Sequence, residues 1–128
     1  MKLYYDPITV NCRKVVAGLD LIGASYQIKV AHKIDADMIE IHTGAFCDAA
    51  TPGQRQQEFS RIVDAAKIGS KLKLEVNAGH GICYNTIKAF KGLSEIHEFS
   101  IGHSIVSRAV LTGMEQAVRD MKQLILAL

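Results

Sequence analysis

Apolar residues along the chain follow two periods, short runs typical of strands and longer stretches with an apolar residue every three or four positions, typical of helices. The short runs predict four strands: Lys2–Tyr5, Asp37–Thr43, Lys71–Val76 and His97–Ile101. The longer stretches predict helices over residues 9–22, 27–34, 52–68, 85–90 and 104–128. Strands that alternate with helices in this way predict parallel β-α units, and we expect a single α/β domain over residues 1–128.

Two of the helices have specific predicted boundaries. Thr51 and Pro52 predict the start of the third helix, because Thr is a favoured N-cap and Pro is favoured at the first helical position. The apolar stripe of that helix continues towards Gly69. The spacing of apolar residues after Ser104 predicts one long amphipathic helix that continues to Leu128.

The length limits which complete folds the chain can form. The sequence has 128 residues, 48% of them hydrophobic, which is the usual size for one compact core. A complete (β/α)₈ barrel typically needs about 250 residues. Any likeness to such a barrel therefore describes a part of a barrel, or a chain that pairs with a second one.

Charge and hydropathy exclude several classes of partner. The formal net charge is +2, and the Lys and Arg residues are scattered, without the basic block or basic helix face that follows nucleic-acid phosphates. We therefore expect no nucleic-acid partner. No apolar run reaches 18 residues and the first segment contains Lys2 and Asp6, so neither a membrane span nor a targeting segment is expected.

The cysteines indicate a reducing compartment. Cys12, Cys47 and Cys83 are widely spaced and form no C-x-x-C motif, so the sequence predicts neither a disulfide framework nor a metal site. Neither Cys47 nor Cys83 has a neighbouring base in the sequence, and buried or idle thiols are favoured over nucleophiles. We expect a cytoplasmic protein.

Three predicted strands end in polar turns that contain glycine: residues 40–44, 77–81 and 100–103. In α/β folds ligands bind at the carboxyl ends of the strands. Glycine allows a backbone to approach an oxyanion closely, and a helix that begins at Ser104 would direct the positive end of its dipole there. Gly102, His103 and Ser104 are therefore a candidate phosphate-binding turn.

His80 and Glu40 are the candidate groups for chemistry. His80 lies between two glycines and is either a proton donor or acceptor or a turn residue that contacts water. Strand alternation places Glu40 and His42 on the same face, where Glu40 is either a catalytic carboxylate or a partner in a salt bridge. His42 is interpreted as a hydrogen-bonded packing residue, and His32 and His97 are expected to be solvated.

Three segments together resemble the last three strand ends of the pyridoxine 5′-phosphate synthase family. They are Ile39–Gly44 (IEIHTG), Val76–Gly81 (VNAGHG) and Ile101–Val110 (IGHSIVSRAV). The resemblance extends from about Tyr26 to the C-terminus. It implies half of a (β/α)₈ barrel with about four parallel strands, in a family that forms octamers.

The resemblance also implies a reaction and roles for residues. The family condenses 1-deoxyxylulose 5-phosphate with 3-amino-2-oxopropyl phosphate to give pyridoxine 5′-phosphate, without a metal or organic cofactor. Glu40 matches the carboxylate that stabilises the transition state, and His80 matches the proton donor. Gly81, Gly102 and His103 match contacts to the phosphorylated substrates.

The sequence departs from that family in its first part. The family's other acid–base groups, a His and a Glu, and its substrate-binding Arg lie on the first four barrel strands, and nothing in the chain corresponds to them. The chain is therefore expected to hold a phosphate or phosphorylated substrate but to be weak or inactive alone. Because a half-barrel exposes strand edges and apolar faces, self-association into a homo-oligomer is also expected.

Residues 1 to about 25 instead resemble the first strand and helix of a glutathione transferase, a thioredoxin-like domain. The match rests on Lys2–Pro7 (KLYYDP) and the helix after it. The cis-proline strand and the motif that binds the γ-glutamyl group have no counterpart, so glutathione is not expected as a ligand. A junction near residues 24–27 would indicate an engineered or recombined chimera, and the alternative interpretation is then a chimeric fold without biological activity.

Overall fold

A computed structural model describes residues 23–128, and these form a three-stranded sheet with helices packed against it. The strands are β1 (Met38–His42), β2 (Glu75–Gly79) and β3 (Glu98–Ser100). The α-helices are α1 (Ala24–Lys33), α2 (Gly44–Cys47), α3 (Pro52–Lys71), α4 (His103–Thr112) and α5 (Met114–Leu126), and Thr86–Phe90 forms a 3₁₀ helix. The predicted strand Lys2–Tyr5 and the predicted helix over residues 9–22 lie outside the described residues.

The sheet is parallel, with the strand order β1-β2-β3. Glu40 on β1 is level with Asn77 on β2, and Asn77 is level with Glu98 on β3. The predicted α/β fold with parallel strands is confirmed, and three of the four predicted strands lie in the described part of the chain. Since all three strands run in the same direction, their carboxyl ends meet at one edge of the sheet.

One face of the sheet carries the hydrophobic core. Strand alternation places Ile39 and Ile41 on the same face, and both are fully buried. Helix α3 packs over this face with its own buried residues Ile62 and Ala66. The opposite face carries polar side chains, among them Glu40, so the hydrophobic core lies on one face of the sheet and polar groups lie on the other.

Helix α3 begins where the sequence predicts. Thr51 is its N-cap, and the Thr51 hydroxyl accepts a hydrogen bond of 3.2 Å from the backbone N–H of Gln54. The helix extends through Gly69 to Lys71. A Cβ at Gly69 would lie 2.7 Å from Val76 Cγ2, so only a residue without a side chain fits there unchanged. Gly69 therefore allows α3 to approach the sheet closely.

The predicted strand Lys71–Val76 begins too early. Lys71 is the last helical residue, and the chain then turns through Lys73, which has a φ of 61°. The Leu74 N–H donates back to Gly69 O at 3.1 Å, which closes the turn. As a result β2 begins at Glu75 and includes Gly79, which the sequence pattern assigns to the following turn.

The prediction of one long helix from Ser104 to Leu128 is wrong. The helix ends at Gly113, whose φ of 83° and ψ of 151° lie outside the helical region. Arg108 on α4 and Asp120 on α5 form an ion pair of 2.5 Å, although 12 residues of straight helix would span about 18 Å. The two helices therefore fold back on each other.

One short element differs from the prediction and another was not predicted. The predicted helix over residues 85–90 is a 3₁₀ helix, which Thr86 stabilises by accepting a hydrogen bond of 2.8 Å from the Cys83 N–H. Helix α2 has no counterpart in the prediction, because one turn is too short to show a periodic pattern. Helix α2 buries Phe46 in the core.

Between residues 23 and 128 no helix has the length and apolar character needed to cross a membrane.

Candidate functional site at the carboxyl ends of the strands

A cleft of about 610 Å³ opens where the three strands end. The sequence-predicted site residues all line it: Glu40, His80, Gly81, Gly102 and His103. They come from the ends of three separate strands and the segments that follow them, and the parallel sheet brings them to one edge. The structure thus gathers the five residues around one space, while their chemical roles stay predictions.

Glu40 is oriented by a neighbour two strands away. Ser100 on β3 donates a hydrogen bond of 2.6 Å from its hydroxyl to Glu40 Oε2 on β1. This contact crosses β2 at Gly79, where a Cβ would lie 2.8 Å from Glu40 Oε1 and 2.9 Å from Ser100 Cβ. Glu40 is therefore held by a hydroxyl rather than by one of the salt bridges of the described residues.

Ser100 is a residue that the sequence analysis did not assign to the site. The sequence signal that could have identified Ser100 was its position near the end of a predicted strand. Its contact with Glu40 depends on the strand order and on the glycine between the two side chains, which single-sequence patterns do not give.

The turn that carries His80 is fixed by Thr43. The Thr43 side chain is fully buried, and its hydroxyl oxygen lies 2.8 Å from Gly79 O and 2.6 Å from His80 O. The Thr43 N–H also donates to Gly79 O at 2.7 Å. His80 has a φ of 80°, an uncommon value for a residue with a side chain. These hydrogen bonds maintain that conformation and direct the imidazole towards the cleft.

His42 is hydrogen-bonded, as predicted, but its side chain is exposed and lines the cleft rather than packing in the core. Its ring stacks on that of His80 with 4.3 Å between the centroids and 26° between the planes. Its Nδ1 accepts a hydrogen bond of 3.4 Å from the Gly44 N–H, and the side chain is exposed. A Cβ at Gly44 would lie 2.6 Å from the His42 ring, so the glycine makes room for the stack. Strand alternation, which places His42 on the face of Glu40, was the signal for this role.

The N-terminus of α4 forms the far wall of the cleft. Gly102 is its N-cap and His103 its first residue, and both are exposed. The first N–H groups of a helix have no partner within it, and the helix dipole makes this end positive. Ser104 attaches this end to the His80 turn, since its hydroxyl donates to Ile82 O at 2.8 Å. The arrangement suits an anion such as phosphate.

Two cysteines lie beside the cleft, and both are half-buried rather than fully buried. Burial raises the pKa of the Cys47 thiol above its usual value. Partial burial acts the same way on Cys83, but hydrogen bonds from the Thr86 side chain and from backbone N–H groups outweigh it and lower the Cys83 pKa. In the described part of the chain no three His, Cys, Asp or Glu side chains are grouped to hold a metal ion.

The fold and the cleft together define a part of a parallel (β/α)₈ barrel with a cleft at the carboxyl ends of its strands. Comparison with known families gives the particular class. Residues 16–127 match the family described as pyridoxal phosphate biosynthesis protein PdxJ, and the chain belongs to that family.

Curated relatives support the same assignment. The pyridoxine 5′-phosphate synthase of Desulforapulum autotrophicum is 80% identical over 102 residues, which cover 80% of this chain and 43% of the relative. That of Geobacter sp. (strain M21) is 52% identical over 130 residues, which cover 98% of this chain and 54% of the relative. The chain thus spans about half the length of the curated relatives it matches.

These comparisons do not support the predicted chimera. The family match begins at residue 16, inside the segment that resembles a glutathione transferase, and crosses the supposed junction at residues 24–27. The relative from Geobacter sp. aligns with nearly the whole chain.

Proposed function

We propose that the cleft binds a phosphorylated substrate of pyridoxine 5′-phosphate synthesis and that the chain provides half of that active site. The observation that supports this most directly is the convergence of Glu40, His80 and His103 on one cleft. The substrates we propose are 1-deoxyxylulose 5-phosphate and 3-amino-2-oxopropyl phosphate.

The phosphate group would bind between Gly81 and the N-terminus of α4. Gly81 has a φ of 76° and no side chain, so a ligand can approach its backbone closely. The opposite wall provides the free N–H groups of the first turn of α4 and the His103 imidazole. Hydrogen-bond donors and a helix dipole together can stabilise a phosphate without a Lys or Arg.

The reacting carbon atoms would then lie between Glu40 and His80. The Glu40 carboxylate, oriented by Ser100, would stabilise positive charge that develops on the nitrogen-containing intermediate. The His80 imidazole would donate a proton to a leaving oxygen. Its stack on His42 limits rotation of the ring and would keep the donor nitrogen directed at the substrate.

The chain alone is proposed to be weak or inactive in ring closure. It spans about half the length of its relatives, and the implied His, Glu and Arg of the first four barrel strands have no counterpart in it. Because catalytic groups act as one unit, the loss of several of them should lower the rate by many orders of magnitude.

The cytoplasmic location of the protein is likewise a prediction.

Calorimetric titration tests the binding part of the proposal. The chain is titrated with 1-deoxyxylulose 5-phosphate and, as the ligand control, with 1-deoxyxylulose. We expect saturable binding of the phosphorylated compound only. His103→Ala should weaken it, whereas His97→Ala, an exposed histidine outside the cleft, should not. Equal binding of the two sugars would refute a phosphate site.

Complementation tests the catalytic part. The chain is mixed with a separately produced N-terminal half of the Desulforapulum autotrophicum synthase, and pyridoxine 5′-phosphate is measured. We expect product from the mixture and little from either half alone. Glu40→Gln should abolish the recovered activity, whereas Glu115→Gln, an exposed carboxylate on α5, should preserve it. Activity that survives Glu40→Gln would contradict the assigned role.

A further inference from the structure

Two thiols lie close to one hydroxyl next to the cleft. Cys47 Sγ is 3.9 Å from Thr86 Oγ1, and Cys83 Sγ is 3.5 Å from the same oxygen. Cys47 ends helix α2, whereas Cys83 lies in the loop between β2 and the 3₁₀ helix. Residues far apart in the sequence are thus brought to one point by the fold.

The two sulfurs differ in access and in chemistry. Cys83 lines the cleft and is reached by solvent. Thr86 stabilises its thiolate, and the resulting lower pKa favours Cys83 as the nucleophile. Cys47 is more shielded, and burial keeps it protonated by raising its pKa. A reactive thiol beside a less acidic one is the usual arrangement of an attacking and a resolving cysteine.

Cys47 also lies against Gly81, in the turn that carries His80. A Cβ at Gly81 would lie 2.9 Å from Cys47 Cβ and 3.4 Å from Cys47 Sγ, so the two residues pack against each other. A change in the position of the Cys47 sulfur therefore moves Gly81, and through it the turn that carries His80.

We propose that Cys83 and Cys47 form an oxidisable thiol pair, in which a peroxide oxidises Cys83 and Cys47 then closes a disulfide with it. In the first step the Cys83 thiolate attacks one peroxide oxygen, the O–O bond breaks, and the hydroxide that leaves takes a proton to become water. Sulfur is oxidised to the sulfenic acid and the peroxide is reduced. In the second step the Cys47 sulfur attacks Cys83, an S–S bond forms, the S–O bond breaks, and the Cys47 proton leaves with the oxygen as water.

The disulfide would change the cleft. It holds the two Cβ atoms about 4 Å apart and so links the Cys83 loop covalently to α2. Because Gly81 packs on Cys47, a change in the position of Cys47 would shift the turn that carries His80. The modification itself does not depend on the proposed function, and only its effect on phosphate binding does.

Mass spectrometry of the full chain tests the pair. Cys12→Ser removes the third thiol and leaves the pair unchanged. After treatment with equimolar hydrogen peroxide we expect this variant to lose two hydrogens and to yield a linked peptide with Cys47 and Cys83. Cys47→Ser in the same background should stop at a sulfenic acid on Cys83 that dimedone traps. Thr86→Val should slow the reaction of Cys83, and Thr86→Ser should restore it.

Two results would overturn the proposal. One is a folded Cys12→Ser chain that retains two free thiols after the treatment. The other is a disulfide that links two chains in place of the intramolecular pair. If the linked peptide forms but phosphate binds equally to oxidised and reduced chains, the proposed coupling to the cleft is wrong.

Discussion

The Ser100 hydroxyl on β3 donates a hydrogen bond of 2.6 Å to the Glu40 carboxylate on β1, across the strand that separates them. Parallel neighbouring strands lie about 4.8 Å apart, so two side chains on the outer strands meet only when the middle strand leaves space. Gly79 provides that space. The geometry of the candidate catalytic carboxylate therefore depends on a glycine that need not touch the substrate.

Replacement of Gly79 by Ala tests this dependence. The new Cβ would lie 2.9 Å from Ser100 Cβ, an atom fixed to the backbone, and 2.8 Å from Glu40 Oε1. We expect the Ser100–Glu40 hydrogen bond to break and the free energy of unfolding to fall by about 1–3 kcal/mol. Urea denaturation measures the loss. Gly53→Ala is the control, because nothing lies within 4 Å of its Cβ and Ala favours a helix. An equally stable Gly79→Ala chain would contradict the account.

Thr43→Val should loosen the His80 turn. The substitution keeps the shape of the buried side chain but removes the hydroxyl that contacts Gly79 O and His80 O. We expect a loss of about 1–3 kcal/mol of stability, the usual cost of a buried polar group that loses its partner. The His80 imidazole signals should also broaden or shift. Thr43→Ser retains the hydroxyl and should retain the His80 signals, so identical behaviour of the two variants would show that the hydroxyl is unimportant.

The sequence predicted which residues meet at the carboxyl ends of the strands better than it predicted the element boundaries. Polar glycine-containing turns at strand ends are local features, and parallel topology alone brings Glu40, His80 and His103 together. Gly69 and Gly113 show what local patterns miss. Gly69 lies inside helix α3 and packs against the sheet, whereas Gly113 ends helix α4. An apolar stripe that continues past Gly113 gives no sign of the break, because the reversal depends on contacts between α4 and α5.

Asp120 should give the α4–α5 pair a pH dependence. Hydrogen bonds from Gln116 and Arg108 lower the Asp120 pKa below its ordinary value of 3.8. A carboxyl with a lowered folded-state pKa stabilises the fold above its unfolded-state pKa, and this contribution is lost as the pH falls through the folded-state value. Asp120→Asn should therefore be less stable than the native chain at pH 7 and should approach it below pH 3.8.

Thermal unfolding across this pH range provides the measurement. The site is exposed, so the difference at pH 7 should be small. Asp64→Asn, at an exposed position outside the ion pairs of the described residues, is the matched control. If the difference in stability between Asp120→Asn and the native chain instead grew as the pH falls, the prediction would be contradicted.

Self-association is predicted from the apolar surface of α4. Val110 and Leu111 are 81% and 88% exposed, and within residues 23–128 strands β1 and β3 are each paired on one side only. We expect a second copy of the chain to cover this surface. Leu111→Asp should shift sedimentation towards the monomer, whereas Gln57→Asp on α3 adds the same charge elsewhere and should not. A native chain that stays monomeric at high concentration would refute the prediction.

Phosphate binding at the carboxyl ends of the strands is the central claim, and NMR titration of the histidine imidazoles tests it most directly. The chain has five histidines, of which His42, His80 and His103 line the cleft while His32 and His97 lie outside it. Addition of 1-deoxyxylulose 5-phosphate or inorganic phosphate should give saturable shifts at His80 and His103 and leave His32 and His97 unchanged. A folded chain with no shift at His80 and His103, or with the same shift at all five, would contradict the account.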